Sequence, residues 1–193
     1  MLTFEDDFVA PATKPMAPPI TPQTLRAHAA GGILSRDLMK AAGRAAAAEL
    51  LRHAGTRASV GIDIYAGGGN NGGDAWVVAG TLAAAGFPVR VHEVELPRTP
   101  DAQAEKNEAL VVLPGVAPPG RHPGIVVDGL LGTGVRGSPR GVIADACAAI
   151  ERERQAGAYI VALDVPSGLD ATTGAHDCAP RADLTVTFGT MKR

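Results

Sequence analysis

Val60-Gly61-Ile62-Asp63-Ile64-Tyr65-Ala66-Gly67-Gly68-Gly69-Asn70-Asn71-Gly72-Gly73-Asp74 is the stretch on which the fold turns. An apolar run, Val60 to Ala66, gives way to a glycine-rich octapeptide, Gly67 to Asp74, and a helical pattern follows from Trp76 to Ala85. Strand, glycine-rich turn and helix open a βαβ unit, and such a turn brings bare backbone close to a ligand. Gly67, Gly69 and Gly72 satisfy G-x-G-x-x-G, and Glu93 ends the next apolar run about 20 residues on, where a ribose-binding acid would sit. The residues between the glycines speak against a simple dinucleotide turn. Asp74 is expected at or next to the helix N-terminus, where its carboxylate would satisfy the free amides and repel a phosphate. Asn70 and Asn71 add amide oxygens, so the loop suits a cation, a hydroxyl or a carboxamide better. A tight βα turn whose asparagines only tolerate left-handed backbone remains an alternative.

Downstream the same punctuation repeats. Val89 to Val94 reads as a strand, and Thr99-Pro100 starts a helix running to about Leu110 with Asp101 in its first turn. Ile125 to Val127 is a continuous β-branched run closed by Asp128, the pattern of a central parallel strand with a carboxylate at its C-terminal end, the edge where ligands bind such sheets. A second glycine-rich loop follows, Gly132-Thr133-Gly134-Val135-Arg136-Gly137-Ser138, with an arginine and no acid, which makes it the better anion cradle of the two. Val142 to Glu153 is a helix, and Tyr159 to Leu163 a buried strand closed by Asp164. Val165-Pro166-Ser167-Gly168-Leu169-Asp170 is then a turn of restricted geometry, and Leu184, Val186 and Phe188 alternate as a last strand with Lys192 near its end. Repeated β-then-α units with acids at strand ends mean a single α/β domain: a doubly wound, mostly parallel Rossmann-like sheet with helices on both faces.

Upstream, residues 1–20 are proline-rich with little periodic apolar content and are expected to be a mobile arm, so the domain spans 21–193. Thr21-Pro22 looks like the start of a short helix to about Ala29. Ser35 caps the next helix, which turns Leu38, Ala42, Ala46 and Leu50 to one face, against the sheet or a subunit contact. The chain has 193 residues and a formal net charge of −2, with no basic stripe, so nucleic acid is not an expected partner. The longest uncharged run, Ala75 to Val89, contains Gly80, Gly86 and Pro88 and falls short of the roughly 20 apolar residues of a membrane span. The acidic, proline-rich start lacks the pattern of an export signal, so the cytoplasm is expected. Cys147 and Cys178 make no metal cluster or disulfide framework, and Asp63 reads as structural.

The motifs taken together resemble the YjeF N-terminal domain family, whose characterised members are NAD(P)H-hydrate epimerases. The resemblance runs from about Thr21 to Lys192 and rests on Leu38-Met39 with Ala42-Gly43, on Gly69 to Asp74, on Val127-Asp128 with Leu131-Gly132-Thr133-Gly134, on Asp164 to Asp170, and on Ala182 to Phe188 with Lys192. It implies a potassium ion, one per subunit, held by Asn71, Asp128 and Ser167. It implies contacts to the hydrated nicotinamide dinucleotide from Asn70, Asn71, Gly72, Gly73 and Asp74, from Gly132, Thr133, Gly134, Val135, Arg136, Gly137 and Ser138, and from Asp164. Asp164 is the expected acid/base and Lys192 a second catalytic candidate, as a charge partner or phosphate contact. The substrate would be the hydrate of NADH or NADPH, and a homodimer and coupling to a hydrate dehydratase are compatible with the family. Two departures stand out. The family usually has glycine and then an aliphatic residue where this chain has Ala75 and Trp76, so the indole is expected either to narrow the nicotinamide end of the pocket or to face the core. Relatives also continue past the lysine, whereas this sequence stops at Arg193. A non-catalytic scaffold of the same fold, and an ordinary NAD-binding oxidoreductase using Gly67, Gly69, Gly72 and Glu93, are the other two readings.

Overall fold

The computed structural model of the chain describes residues 35–115, 120, 122–134, 137–176 and 178–188. The proline-rich arm, the short helix expected from Thr21, and the site candidates Val135, Arg136 and Lys192 lie outside the described residues.

Five strands form one sheet: β1 (Ile62–Ala66), β2 (Val89–Glu93), β3 (Ile125–Gly129), β4 (Tyr159–Leu163) and β5 (Leu184–Val186). Their order is β2-β1-β3-β4-β5, and every pairing is parallel. The strand order reverses between β1 and β3, so the loops leaving these two neighbours diverge and open a crevice at the carboxyl edge. The helices are α1 (Ser35–Ala58), α2 (Asn70–Ala84), α3 (Pro100–Val112) and α4 (Val142–Gln155).

Ile62, Ile64, Ile125, Val127, Val161 and Leu163 face the layer made by α1 and α2, where Ala46, Ala47, Leu50, Val78 and Leu82 are buried against them. Burying a leucine such as Leu50 contributes roughly 1.5–3 kcal/mol. Val126 and Ile160 point the other way, onto Ile143, Ala146, Cys147 and Ile150 of α4. The helices on the first face pack closely because their contacts are small: a Cβ at Gly43 would lie 2.5 Å from Val77 Cβ, and one at Gly80 would lie 3.3 Å from Ala109 Cα. The sheet therefore carries helices on both faces, as expected.

Two boundaries and one buried helix face differ from expectation. The helix after β1 begins at Asn70, not near Trp76, so Asn70 to Asp74 are its first turn and not loop. The buried seam of α1 runs through Met39, Gly43, Ala46, Ala47, Leu50, Ala54 and Ala58. Leu38 and Ala42 sit beside that seam and are only half-buried, because an alanine-rich helix gives little periodic signal to fix its rotation. The last strand ends at Val186, so Phe188 lies past it.

Asp63 is 2 % exposed and is a structural anchor. Its carboxylate accepts from Arg90 Nη2 at 2.7 Å and lies 2.8 Å from His92 Nε2, tying β1 to the edge strand β2. His92 stacks on Tyr65 with ring centroids 4.3 Å apart.

Candidate active site

Glycine is required in the first loop by the chain's own packing. A Cβ at Gly67 would stand 1.9 Å from the Leu130 carbonyl oxygen, and one at Gly72 would stand 1.8 Å from that of Gly67. Gly73 is pressed against Met39 and Ala102, and of these four only Gly69 has open space around it. The glycines thus bring the β1 loop against the loop after β3, which is an internal approach and not, at these positions, an approach to a ligand. Gly69 is the N-cap of α2 and no side chain caps the helix. Asp74, the fifth helical residue, does not occupy the terminal amides as expected, since an N-cap carboxylate would have to stand at the position of Gly69. Glu93, the ribose acid of the oxidoreductase reading, is ion-paired with Lys106.

Three elements converge on the peptide of Leu131. Asn71, 8 % exposed, donates from Nδ2 to the Leu131 carbonyl at 2.9 Å, and its Oδ1 is buried without a hydrogen-bond partner among the described residues. The Leu131 amide donates to Ser167 Oγ at 2.9 Å. Ser167 Oγ in turn donates to Asp128 Oδ1 at 2.5 Å, and the Ser167 amide donates to Asp128 Oδ2 at 2.8 Å. Asp128 and Ser167 are both fully buried. Burial pushes the Asp128 carboxyl above the usual carboxylate range, while hydrogen bonds from Ser167 and the Leu130 amide pull it back in part. Asn71, Asp128 and Ser167 are thus brought together at the carboxyl edge from α2, β3 and the turn after β4.

Asp164 stands beside them. Its backbone is left-handed, φ 64°, and it is the one non-glycine residue with positive φ among the described residues. A residue held in that region carries strain of order 1 kcal/mol or more and needs its surroundings to hold it there. The Asp164 amide donates to the Val186 carbonyl at 2.8 Å, and the Asp164 carbonyl accepts from Thr187 Oγ1 at 3.1 Å. So β5 and the residue that follows it fix both sides of Asp164, and the Asp164 carboxylate accepts from the Thr133 amide at 3.1 Å. Gly132 separates Asp164 from Asn71: a Cβ there would meet Asp164 Oδ2 at 3.2 Å and Asn71 Cβ at 3.5 Å.

Asp74 joins the same corner. Burial and the charge of Asp164 push its carboxyl up to about 8. That proximity was not legible in the sequence, where the two acids are far apart; the only signal was their placement after β1 and β4. The Leu131 peptide was missed as well, because a backbone group leaves no mark in residue identity.

Asn70, Thr133, Gly134, Gly137 and Ser138 are exposed around the crevice, and Gly72 and Gly73 are buried beneath it. A cavity of about 110 Å³ opens there, lined by Leu131, Gly132, Gly137, Ser138, Leu169 and His176. A larger groove of about 330 Å³ lies among α1, α2 and α3. Lys40 pairs with Glu108 at 2.9 Å and Arg36 with Glu105 at 2.6 Å across it, and no acid at a strand end lines it. Trp76 lines this groove and packs in the core beneath it, so the indole lies away from the 110 Å³ cavity. Among the described residues no three His, Cys, Asp or Glu side chains gather as a metal cluster, and no helix is long and apolar enough to cross a membrane. Cys147 is buried, its thiol pushed up to about 12, and is chemically quiet.

Comparison with known proteins gives one family. Residues 35–193 match the family described as YjeF-related protein N-terminus. The chain is 38% identical to an NAD(P)H-hydrate epimerase of Pirellula staleyi, over 83% of this chain and 75% of that one. It is 36% identical to an NAD(P)H-hydrate epimerase of Nitrosopumilus maritimus, over 84% of this chain and 79% of the relative. It is 40% identical to a bifunctional NAD(P)H-hydrate repair enzyme Nnr of Methanothermobacter thermautotrophicus, but spans only 33% of that protein's length. The crystal structure of the yeast protein ynu0 superposes with a TM-score of 0.61 at 21% identity, covering 86% of this chain and 72% of that one, which shows a shared fold.

Proposed function

The chain belongs to the family of YjeF-related protein N-termini, and from that membership we propose that it is an NAD(P)H-hydrate epimerase, an isomerase that interconverts the R and S forms of hydrated NADH or NADPH. The observation that carries the reading to this site is Asp164, a strained strand-end acid held beside Asn71 at the crevice between the β1 and β3 loops. Inverting the hydroxyl-bearing carbon next to the ring nitrogen requires either loss and return of the hydroxyl or opening and closure of the ring. Each route needs a positioned group to move a proton, and Asp164 is the proposed acid/base. The segment of Thr133, Gly134, Gly137 and Ser138, with Asn70 and with Val135 and Arg136 from outside the described residues, is the proposed cradle for the dinucleotide, and Lys192 a further catalytic candidate.

The residues present also fit a potassium-like ion. Among the described residues Asn71 Oδ1 is a buried acceptor with no hydrogen-bond partner, and the Leu131 peptide links Asn71 to the neutral Ser167 Oγ, which donates to the Asp128 carboxylate. Such a weak-field oxygen set suits a monovalent cation better than magnesium, which demands tight octahedral geometry and retains its waters. Asn71, Asp128 and Ser167 would hold one ion per subunit, and it would supply a fixed positive charge against negative charge developing on the substrate. A homodimer, functional coupling to a dehydratase and a cytoplasmic site of action remain parts of the proposal. Relatives named bifunctional repair enzymes, of which this chain spans about a third, support the coupling.

Incubating the protein with one purified epimer of hydrated NADH and following the epimer ratio by chromatography tests the function. Equilibration faster than the spontaneous rate supports it; a folded protein that leaves the ratio unchanged points to the scaffold reading.

A further inference from the structure

We propose that the groove among α1, α2 and α3 is a second ligand site, separate from the crevice, that takes a small aromatic carboxylate with its ring against Trp76 and its carboxylate on Arg44. The groove follows from the sequence of its walls. Gly43 and Gly80 let α2 seat closely against α1 and α3, and Ala84 and Ala109 are too small to fill the trough left beside those contacts. At about 330 Å³ the trough falls in the range of roughly 300–1,000 Å³ usual for small-molecule sites. It runs along α2 from Trp76 to Ala84, whereas the crevice takes the first turn of that helix, and the two cavities share no lining residue among the described residues.

The groove holds a donor that lacks an acceptor. Trp76 lines it and is 3 % exposed, and its Nε1–H is buried without a hydrogen-bond partner among the described residues. A buried indole N–H ordinarily has one. Lys106 does not supply it: its Nζ, 5.8 Å from the ring centroid, carries only donors and pairs with Glu93. The Thr81 hydroxyl is turned to the Val77 carbonyl at 2.7 Å.

The charges give the ligand its sign. Glu105, 3 % exposed, pairs with Arg36 at 2.6 Å, and Glu108 pairs with Lys40 at 2.9 Å and with Arg36. Those two acids match Arg36 and Lys40. Arg44, exposed on the groove lining, has no ion-pair partner among the described residues, so one positive charge on the rim is left over. A guanidinium takes a carboxylate through two parallel N–H···O bonds, and an aromatic ring packs offset or edge-on against an indole. Val77, Ala109 and Val112 add apolar wall for that ring. An aromatic carboxylate brings both the ring and the acceptors. A cation would be repelled by Arg44, and a purely apolar molecule would leave the indole N–H unmatched. The site is independent of the epimerase reading, since no residue of the crevice enters it.

Trp76 is the single tryptophan of the chain, so its fluorescence reports on the groove directly. The test titrates the full chain with benzoate and with benzamide, its neutral counterpart, and repeats both on Arg44→Gln and Ala84→Leu. Both positions are exposed, and circular dichroism checks the fold of each variant. Benzoate should change the Trp76 emission saturably, and benzamide should need at least tenfold more. Arg44→Gln should weaken benzoate by ~10-fold, the low end for a hydrogen bond to a charged group because Arg44 is exposed, and leave benzamide unchanged. Ala84→Leu, which fills the groove without altering charge, should weaken both. Emission that ignores benzoate, because a second copy or the chain ahead of Ser35 fills the groove or because nothing binds there, overturns the proposal. So does a response linear in benzoate, equal for benzamide, or unmoved by Ala84→Leu.

Discussion

Ser167→Ala removes one oxygen from the fully buried junction of the β3 and β4 loops, and its cost can be worked from the contacts it deletes. Ser167 Oγ donates to the Asp128 carboxylate at 2.5 Å and accepts from the Leu131 amide at 2.9 Å. A hydrogen bond to a charged group contributes about 1.5–3 kcal/mol, and an amide left unpaired costs about 1–3 kcal/mol, toward the low end here because Leu131 is only half-buried. The Ser167 amide keeps its bond to Asp128, so the carboxylate is not stripped entirely. The expected destabilisation is about 2–4 kcal/mol, a large part of the roughly 5–15 kcal/mol that holds a domain together. Its sign with pH follows from Asp128. Burial already raises that carboxyl in the folded state, and losing a donor raises it further. Stability from a raised acid is fully present below its unfolded value and is lost as pH rises through the folded one. The loss should therefore be larger at pH 8 than at pH 5. Urea unfolding at both pH values, read by the single tryptophan, Trp76, measures it. A loss below 1 kcal/mol at pH 8, or one larger at pH 5, would refute the claim that the Ser167 hydrogen bonds favour the charged form of Asp128.

Gly67→Ala and Gly72→Ala should each fail to fold or lose several kcal/mol, while Gly69→Ala, with nothing within 4 Å of its Cβ position, should fold normally; thermal melts of the three decide it. Asp164→Asn should slow epimerisation by ~10²-fold or more with no rescue by potassium, whereas Asp128→Asn should recover in part at high potassium, since its effect runs through the proposed ion site. Equal rescue of both would remove Asp164 from the acid/base role. Asp74, with its carboxyl raised to about 8, should make the parent lose stability as pH climbs from 5 toward 8, by at most about 1.4 kcal/mol per pH unit. Asp74→Asn should flatten that slope, and an unchanged slope in urea titrations would show that Asp74 is already ionised at neutral pH.

The α/β architecture was legible because its signals are local: β-branched runs at β3 and β4, acids closing them, and the Thr99-Pro100 start of α3, where the Thr99 hydroxyl does accept from the Ala102 amide at 3.3 Å. The strand order β2-β1-β3-β4-β5 was not, since it depends on long-range pairing that no single segment encodes. The start of α2 was hidden by Gly72 and Gly73, which have poor helix propensity but are required by contact with Gly67, Met39 and Ala102. Packing overrode propensity there. The side on which Trp76 lies depends on the rotation of α2, which turns it toward α3. Of the candidate site, Asn71, Asp128, Ser167 and Asp164 were readable as groups at strand ends. Their linkage through the Leu131 peptide, and the approach of Asp74 to Asp164, belong to tertiary geometry alone.

The most direct measurement is a crystal structure with hydrated NADH bound to Asp164→Asn, which should hold the substrate while turning it over slowly. The hydroxyl-bearing carbon is expected at the corner of Asp74, residue 164 and Gly132, with the dinucleotide along Thr133 to Ser138. Density for the ligand in the groove among α1, α2 and α3, or at the carboxyl edge with that carbon turned away from residues 74 and 164, would contradict the account.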